Sequence, residues 1–156
     1  MAGGMVHFNN LLTAIMGYSE IIMMNLRNKD LIGKETILVV EDHAAVRDMI
    51  STALRKYGFT VLEAANGSEA LLICERQKAS IHLILTDVLM PEISGNLLFE
   101  RLTLIHPEMK AIYISGYTKN FLVHQGILNS DVYFIPKPFK MFTLMQKVRE
   151  VIDSSQ

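Results

Sequence analysis

Residues 36–42 read T-I-L-V-V-E-D, five β-branched and aliphatic residues followed at once by two carboxylates, Glu41 and Asp42. A continuous apolar run of that length, with no polar alternation, predicts a strand buried on both faces. The same unit recurs downstream. Thr60–Ala64, His82–Thr86, Lys110–Ser115 and Val132–Ile135 are expected as four further strands, each followed by an amphipathic stretch. The expected helices after the strands are Ala44–Lys56, Ser68–Gln77, Asn96–Ile105, Asn120–Asn129 and Lys140–Ile152. Val46, Met49, Ile50, Ala53 and Leu54 share one side of the first, and Gly58 ends it.

Five β-then-α units predict an α/β fold, a doubly wound parallel sheet with helices on both faces. The usual order for five such strands is 2-1-3-4-5 (flavodoxin-like), with ligands beyond the carboxyl ends at the switch between strands 1 and 3. Those ends carry chemistry. Strand 1 runs into Glu41 and Asp42, strand 3 into Asp87, strand 4 into Ser115-Gly116, and strand 5 into Lys137-Pro138. Three converging carboxylates repel one another unless a cation neutralises them. An oxygen-rich site with few protein ligands suits Mg²⁺, Lys137 offers a mobile charge to a phosphate oxygen, and Ser115 offers a hydroxyl. A carboxylate in that company is a nucleophile for phosphoryl transfer through an acyl phosphate. Glu41, Asp42 or His43 has a plainer use as a cap for the following helix.

Other phosphate chemistries do not fit. There is neither a G-x-x-x-x-G-K-[ST] loop nor a G-x-G-x-x-G after strand 1, and Leu89 stands where a hydrolase would need a second aspartate. The formal net charge of −1 gives no footprint for nucleic acid. A single cysteine, Cys74, suits a reducing compartment. The most apolar stretch, Leu11 to Met24, is interrupted by Thr13, Ser19 and Glu20 and is too short to span a bilayer. A cytoplasmic protein without nucleic-acid or membrane partners is expected.

Residues 35–156 resemble the receiver domain of two-component response regulators. The resemblance rests on Glu41-Asp42, on D-V-L-M-P-E-I-S-G at Asp87–Gly95, on Ser115-Gly116 and on K-P-F at Lys137–Phe139. It implies Asp87 as phosphoacceptor. Asp42 and Asp87 would be Mg²⁺ ligands, with the Leu89 carbonyl completing the protein's share and Glu41 acting through a water. Lys137 and Ser115 would contact the phosphoryl group, Phe134 would be the aromatic that switches with Ser115, and Lys137-Pro138 would be cis. The implied partner is a sensor histidine kinase or a phosphotransfer protein.

Residues 1–34 read separately, as a helix and linker. Phe8, Leu11, Leu12, Ile15, Ile22 and Leu26 follow helical spacing, and Met16, Ile21, Met23 and Met24 widen the apolar surface. Such a helix calls for a partner. Ala2–Glu20, with G-G-x-x-H and F-N-N-L-L, resembles the phosphoacceptor-histidine box of sensor histidine kinases, as in a truncated hybrid kinase. Phe8 replaces the acidic residue that family places directly after its histidine, and the missing residue turns His7 about 100° from the following helix face. With no ATP-binding motifs following, autophosphorylation of His7 is not expected, nor is enzyme activity beyond self-catalysed transfer and dephosphorylation.

The expected function is a phosphorylation-dependent signalling switch. The alternative is an interaction module in which the N-terminal helix binds a partner kinase and phosphorylation is secondary. The candidate surfaces for a homodimer are that helix and the face built from strand 4, the helix after it and strand 5.

Overall fold

The computed structural model describes residues 2–23 and 31–154. Helix α1 (Ala2–Met23) precedes β1 (Thr36–Val40), α2 (Ala44–Lys56), β2 (Thr60–Ala64), α3 (Gly67–Arg76) and β3 (Leu83–Asp87). Then come α4 (Gly95–Thr103), β4 (Lys110–Ser115), α5 (Lys119–His124), β5 (Tyr133–Pro136) and α6 (Met141–Asp153). The five strands form one parallel sheet in the order β2-β1-β3-β4-β5, as the sequence predicts.

Strand alternation divides the interior between two faces of the sheet. Ile37, Val39, Leu83, Leu85, Ile112 and Ile114 pack with Val46, Met49, Ile50, Ala53 and Leu54 of α2 and with Leu144, Met145 and Val148 of α6. Leu38, Val40, Ile84 and Tyr113 face the other way, against Ala70 and Cys74 of α3, Leu98 and Leu102 of α4, and Leu122 of α5. Every residue of β1 and β3 is buried, which is what an apolar run without alternation requires. At about 1.5–3 kcal/mol for each large aliphatic side chain fully buried, these two layers are the main source of stability.

Most boundaries lie within two residues of expectation. The exceptions are α1, whose expected start is Phe8 whereas the helix starts at Ala2, and α5, expected over 120–129 but ended at His124. Gln125 caps it and Gly126 adopts φ 71°, a left-handed conformation that stops a helix.

Helix α1 lies on the first of these faces, against α2 and α6. It buries Asn10, Thr13, Ala14, Gly17 and Ile21, a stripe at helical spacing. A Cβ on Gly17 would run into the Met49 side chain, so glycine lets α1 come close to α2. Tyr18 donates to Asp48 Oδ2 at 2.6 Å, Lys56 donates to the Ile21 carbonyl at 3.1 Å, and the Met141 N–H donates to Glu20 Oε2. The partner that the apolar helix calls for is therefore the body of the domain. The face presented is different, however. Phe8, Leu11, Ile15 and Ile22 of the apolar set point to solvent, and Leu12 is half-buried. Close packing and polar contacts select the small-residue stripe instead. The expected continuation through Met24 and Leu26 falls outside the described residues.

Candidate functional site

Parallel pairing places the carboxyl ends of β1, β3, β4 and β5 along one edge of the sheet. Val40 pairs with Thr86, Asp87 with Ile114, and Ser115 with Pro136, so Glu41, Asp87, Ser115 and Lys137 emerge side by side. All four are buried, whereas Asp42 is exposed. Lys137 Nζ donates to Glu41 Oε2 at 2.9 Å and to Asp87 Oδ2 at 3.3 Å. The Lys137-Pro138 bond is cis, as expected. The Lys137 amide donates to the Ser115 carbonyl at 2.8 Å, which ties β5 to β4 at the site.

Burial dominates the electrostatics. It pushes the Glu41 carboxyl up from 4.5 to about 7, with Lys137 pulling down and Asp87 pushing up further. Asp87 is raised for the same first reason, again against the pull of Lys137 and with a smaller push from Asp42. Burial alone would lower Lys137, but Glu41 and Asp87 together hold it above its ordinary value. The ammonium is thus charged, and the carboxylates are short of neutralising charge.

That shortage is the test of fit for a cation. Glu41, Asp42 and Asp87 each offer an oxygen, all within 4.8 Å of one another. Hard oxygen donors with one exposed member suit Mg²⁺, which keeps several waters. Glu41 is already engaged through both oxygens, accepting from Lys137 and, through Oε1, from the His43 amide at 3.1 Å. An indirect role therefore suits it better than direct ligation. His43 stands at the N-cap of α2 without a side-chain cap bond of its own, and the Glu41 carboxylate holds the His43 amide at the start of that helix. The Glu41 carbonyl accepts from Arg47 Nη1 at 2.8 Å, which fixes the turn between β1 and α2.

A family model for the response regulator receiver domain matches residues 37–149. This chain belongs to that family. The response regulator receiver protein CpdR of Brucella abortus (strain 2308) is 32% identical over 117 residues, covering 74% of this chain and 95% of that protein. Sensor kinase CckA of the same organism is 39% identical over 124 residues, 80% of this chain but only 13% of that much longer protein. The crystal structure of the receiver domain from hybrid histidine kinase CckA matches with TM-score 0.63 and 37% identity, covering 74% of this chain and 96% of that one. Chemotaxis protein CheY4 of Vibrio cholerae, 24% identical with TM-score 0.67 over 76% of this chain and 99% of that one, shares the fold.

Within this receiver domain, the residues singled out from sequence fall into two groups. Asp87, Leu89, Ser115 and Lys137 line one cavity of about 250 Å³, together with Gly116 and Tyr117. Asp42 and Glu41 adjoin it through the acidic cluster. Ser115 Oγ accepts from the Tyr117 amide at 3.1 Å, a bond that leaves the hydroxyl proton free to donate. Phe134 stands apart, half-buried among the side chains on the α3–α5 side of the sheet. His7 does not line the cavity. It is exposed, its ring 6.4 Å from that of His43, and the neighbouring Gly3 and Val6 are the α1 residues at the cavity.

One site residue has no counterpart in the sequence reading. Asn10, 7% exposed, accepts from Lys137 Nζ through Oδ1 at 2.8 Å. The available signal was positional: an amide on a helix stripe that also carries Thr13, Ala14 and Gly17.

Proposed function

We propose that this chain is a phosphorylation-dependent signalling switch in which Asp87 accepts a phosphoryl group from a histidine kinase or phosphotransfer protein. The supporting observation is the buried triad of Glu41, Asp87 and Lys137 beside an open Asp42. In the transfer, an Asp87 carboxylate oxygen bonds to the phosphorus of a phosphorylated imidazole as the P–N bond breaks. The bonding pair stays on the imidazole nitrogen, which takes up a proton. Lys137, already 3.3 Å from Asp87 Oδ2, is placed to follow the new negative charge, and Ser115 has a proton to donate. Asp42 and Asp87, with the Leu89 carbonyl and with Glu41 through a water, would hold Mg²⁺, which supplies positive charge to the phosphoryl oxygens when bound.

The added charge, roughly −1.5 to −2, biases the β4–α5–β5 face toward a form that a partner recognises, with Ser115 and Phe134 as the moving side chains. Hydrolysis of the acyl phosphate resets it. In this reading residues 35–156 are the switch and residues 1–34 an accessory helix and linker. The test is incubation of the protein with Mg²⁺ and a small acyl phosphate, read by intact mass. One phosphate adduct is expected, absent in Asp87→Ala. No adduct, or one that survives the substitution, refutes the assignment.

A further inference from the structure

An ammonium has three protons to donate, and Lys137 has three acceptors in place: Asn10 Oδ1 at 2.8 Å, Glu41 Oε2 at 2.9 Å and Asp87 Oδ2 at 3.3 Å. The shortest of these bonds comes from outside the strand ends, from α1. The same stretch of α1 walls the cavity with Gly3 and Val6, and Asn9 Nδ2 donates to the Gly116 carbonyl at 3.4 Å. Below it, Tyr18, Glu20 and Ile21 fasten the helix to α2 and α6 by separate contacts.

A phosphoryl group on Asp87 brings strong acceptor oxygens into this cavity. Lys137 has no fourth proton, so an existing acceptor has to be released. Glu41 and Asp87 are ionisable and attract the ammonium by charge, while Asn10 is the neutral and weaker competitor. We propose that Asn10 is a positioning residue that holds Lys137 back from the phosphoryl position, and that phosphorylation of Asp87 draws Lys137 off Asn10 and loosens the first half of α1 from the cavity. The inference rests on the reading of Asp87 as phosphoacceptor. By linkage the coupling runs both ways: an α1 that stays latched opposes phosphorylation as much as phosphorylation opposes the latch.

The experiment uses the full chain with Mg²⁺ and a small acyl phosphate, following adduct mass and amide hydrogen exchange together. Phosphorylation should raise exchange over residues 7–13 and leave residues 17–22 nearly unchanged. Asn10→Ala should take up phosphate about fivefold faster, a fraction of what one charge-assisted hydrogen bond can supply. Asn10→Asp, of the same shape with an added charge, should hold Lys137 harder and slow uptake by a similar factor. A merely structural role would move both variants in one direction. A complete adduct with unchanged exchange over residues 7–13, or two variants that shift uptake the same way, overturns the latch and leaves the phosphoacceptor standing. A wild-type protein that forms no adduct overturns both.

Discussion

Lys137 Nζ stands 2.9 Å from Glu41 Oε2, and both side chains are only 2% exposed. Neither charge has water to fall back on, so the pair holds together because removing one partner strands the other. Lys137→Met should therefore cost about 3 kcal/mol at neutral pH, measured by urea unfolding. Glu41 already titrates at about 7, well above its ordinary 4.5, so the folded state binds more protons than the unfolded chain between those values. Stability that depends on a raised carboxyl falls as pH rises, and the deficit of the variant should accordingly shrink toward pH 5. A deficit that stays constant over that range would mean that Lys137 does not neutralise these carboxylates.

The opposite substitution should have the opposite sign. Burial raises the Asp87 carboxyl, so its ionised form works against folding at neutral pH. Asp87→Asn keeps the shape, removes one like charge beside Glu41 and Asp42, and leaves Lys137 its Glu41 partner. We expect about 1 kcal/mol of added stability, seen as a higher Tm, together with complete loss of phosphate uptake. A lower Tm would place the stabilising role on Asp87 rather than on Glu41.

A bound cation should act on the same charge surplus. Mg²⁺ at ten times its Kd should add about 1.4 kcal/mol, a value set by mass action rather than by the details of the site. Asp42→Asn should abolish most of that gain while changing the metal-free protein little, because Asp42 is exposed. A thermal shift that persists in Asp42→Asn would remove Asp42 from the ligand set.

The sheet was legible because residues 37–40 and 83–85 carry apolar side chains for both faces, and the strand ends because each chemical group closely follows such a run. Even β1, α2, β2 and β4 fall on their expected residues. Helix α1 was legible as a helix but not in its orientation. Periodicity ranks faces by hydrophobicity, whereas the buried stripe is chosen by close approach at Gly17 and by polar anchors at Asn10, Tyr18 and Glu20. Those anchors find partners far along the chain, at Lys137, Asp48 and Met141, and no local pattern encodes such pairings. For the same reason Asn10 could not be recognised as a partner of Lys137.

On the far side of the sheet edge, Arg149 of α6 grips Glu35 just before β1, with Nη2 2.8 Å from Oε1 and Nη1 3.3 Å from Oε2. The guanidinium beside it lowers the Glu35 carboxyl from 4.5 to about 2. A depressed carboxyl contributes stability that is fully present above its unfolded value and is lost as pH falls through the folded one, here from about 4.5 down to about 2. Because the pair is partly solvated, screening reduces its worth to about 1 kcal/mol, well below what the shift alone implies. Glu35→Gln should therefore lose about 1 kcal/mol at pH 7 and converge on the wild type only as pH falls to about 2, where protonation removes the Glu35 charge from the folded wild type. Added salt should narrow the gap at pH 7 as well. Parallel stability profiles for the two proteins across the acid range would show that the contact between α6 and the start of β1 is held by packing, such as that of Arg149 over the Phe59 ring, and not by this ion pair.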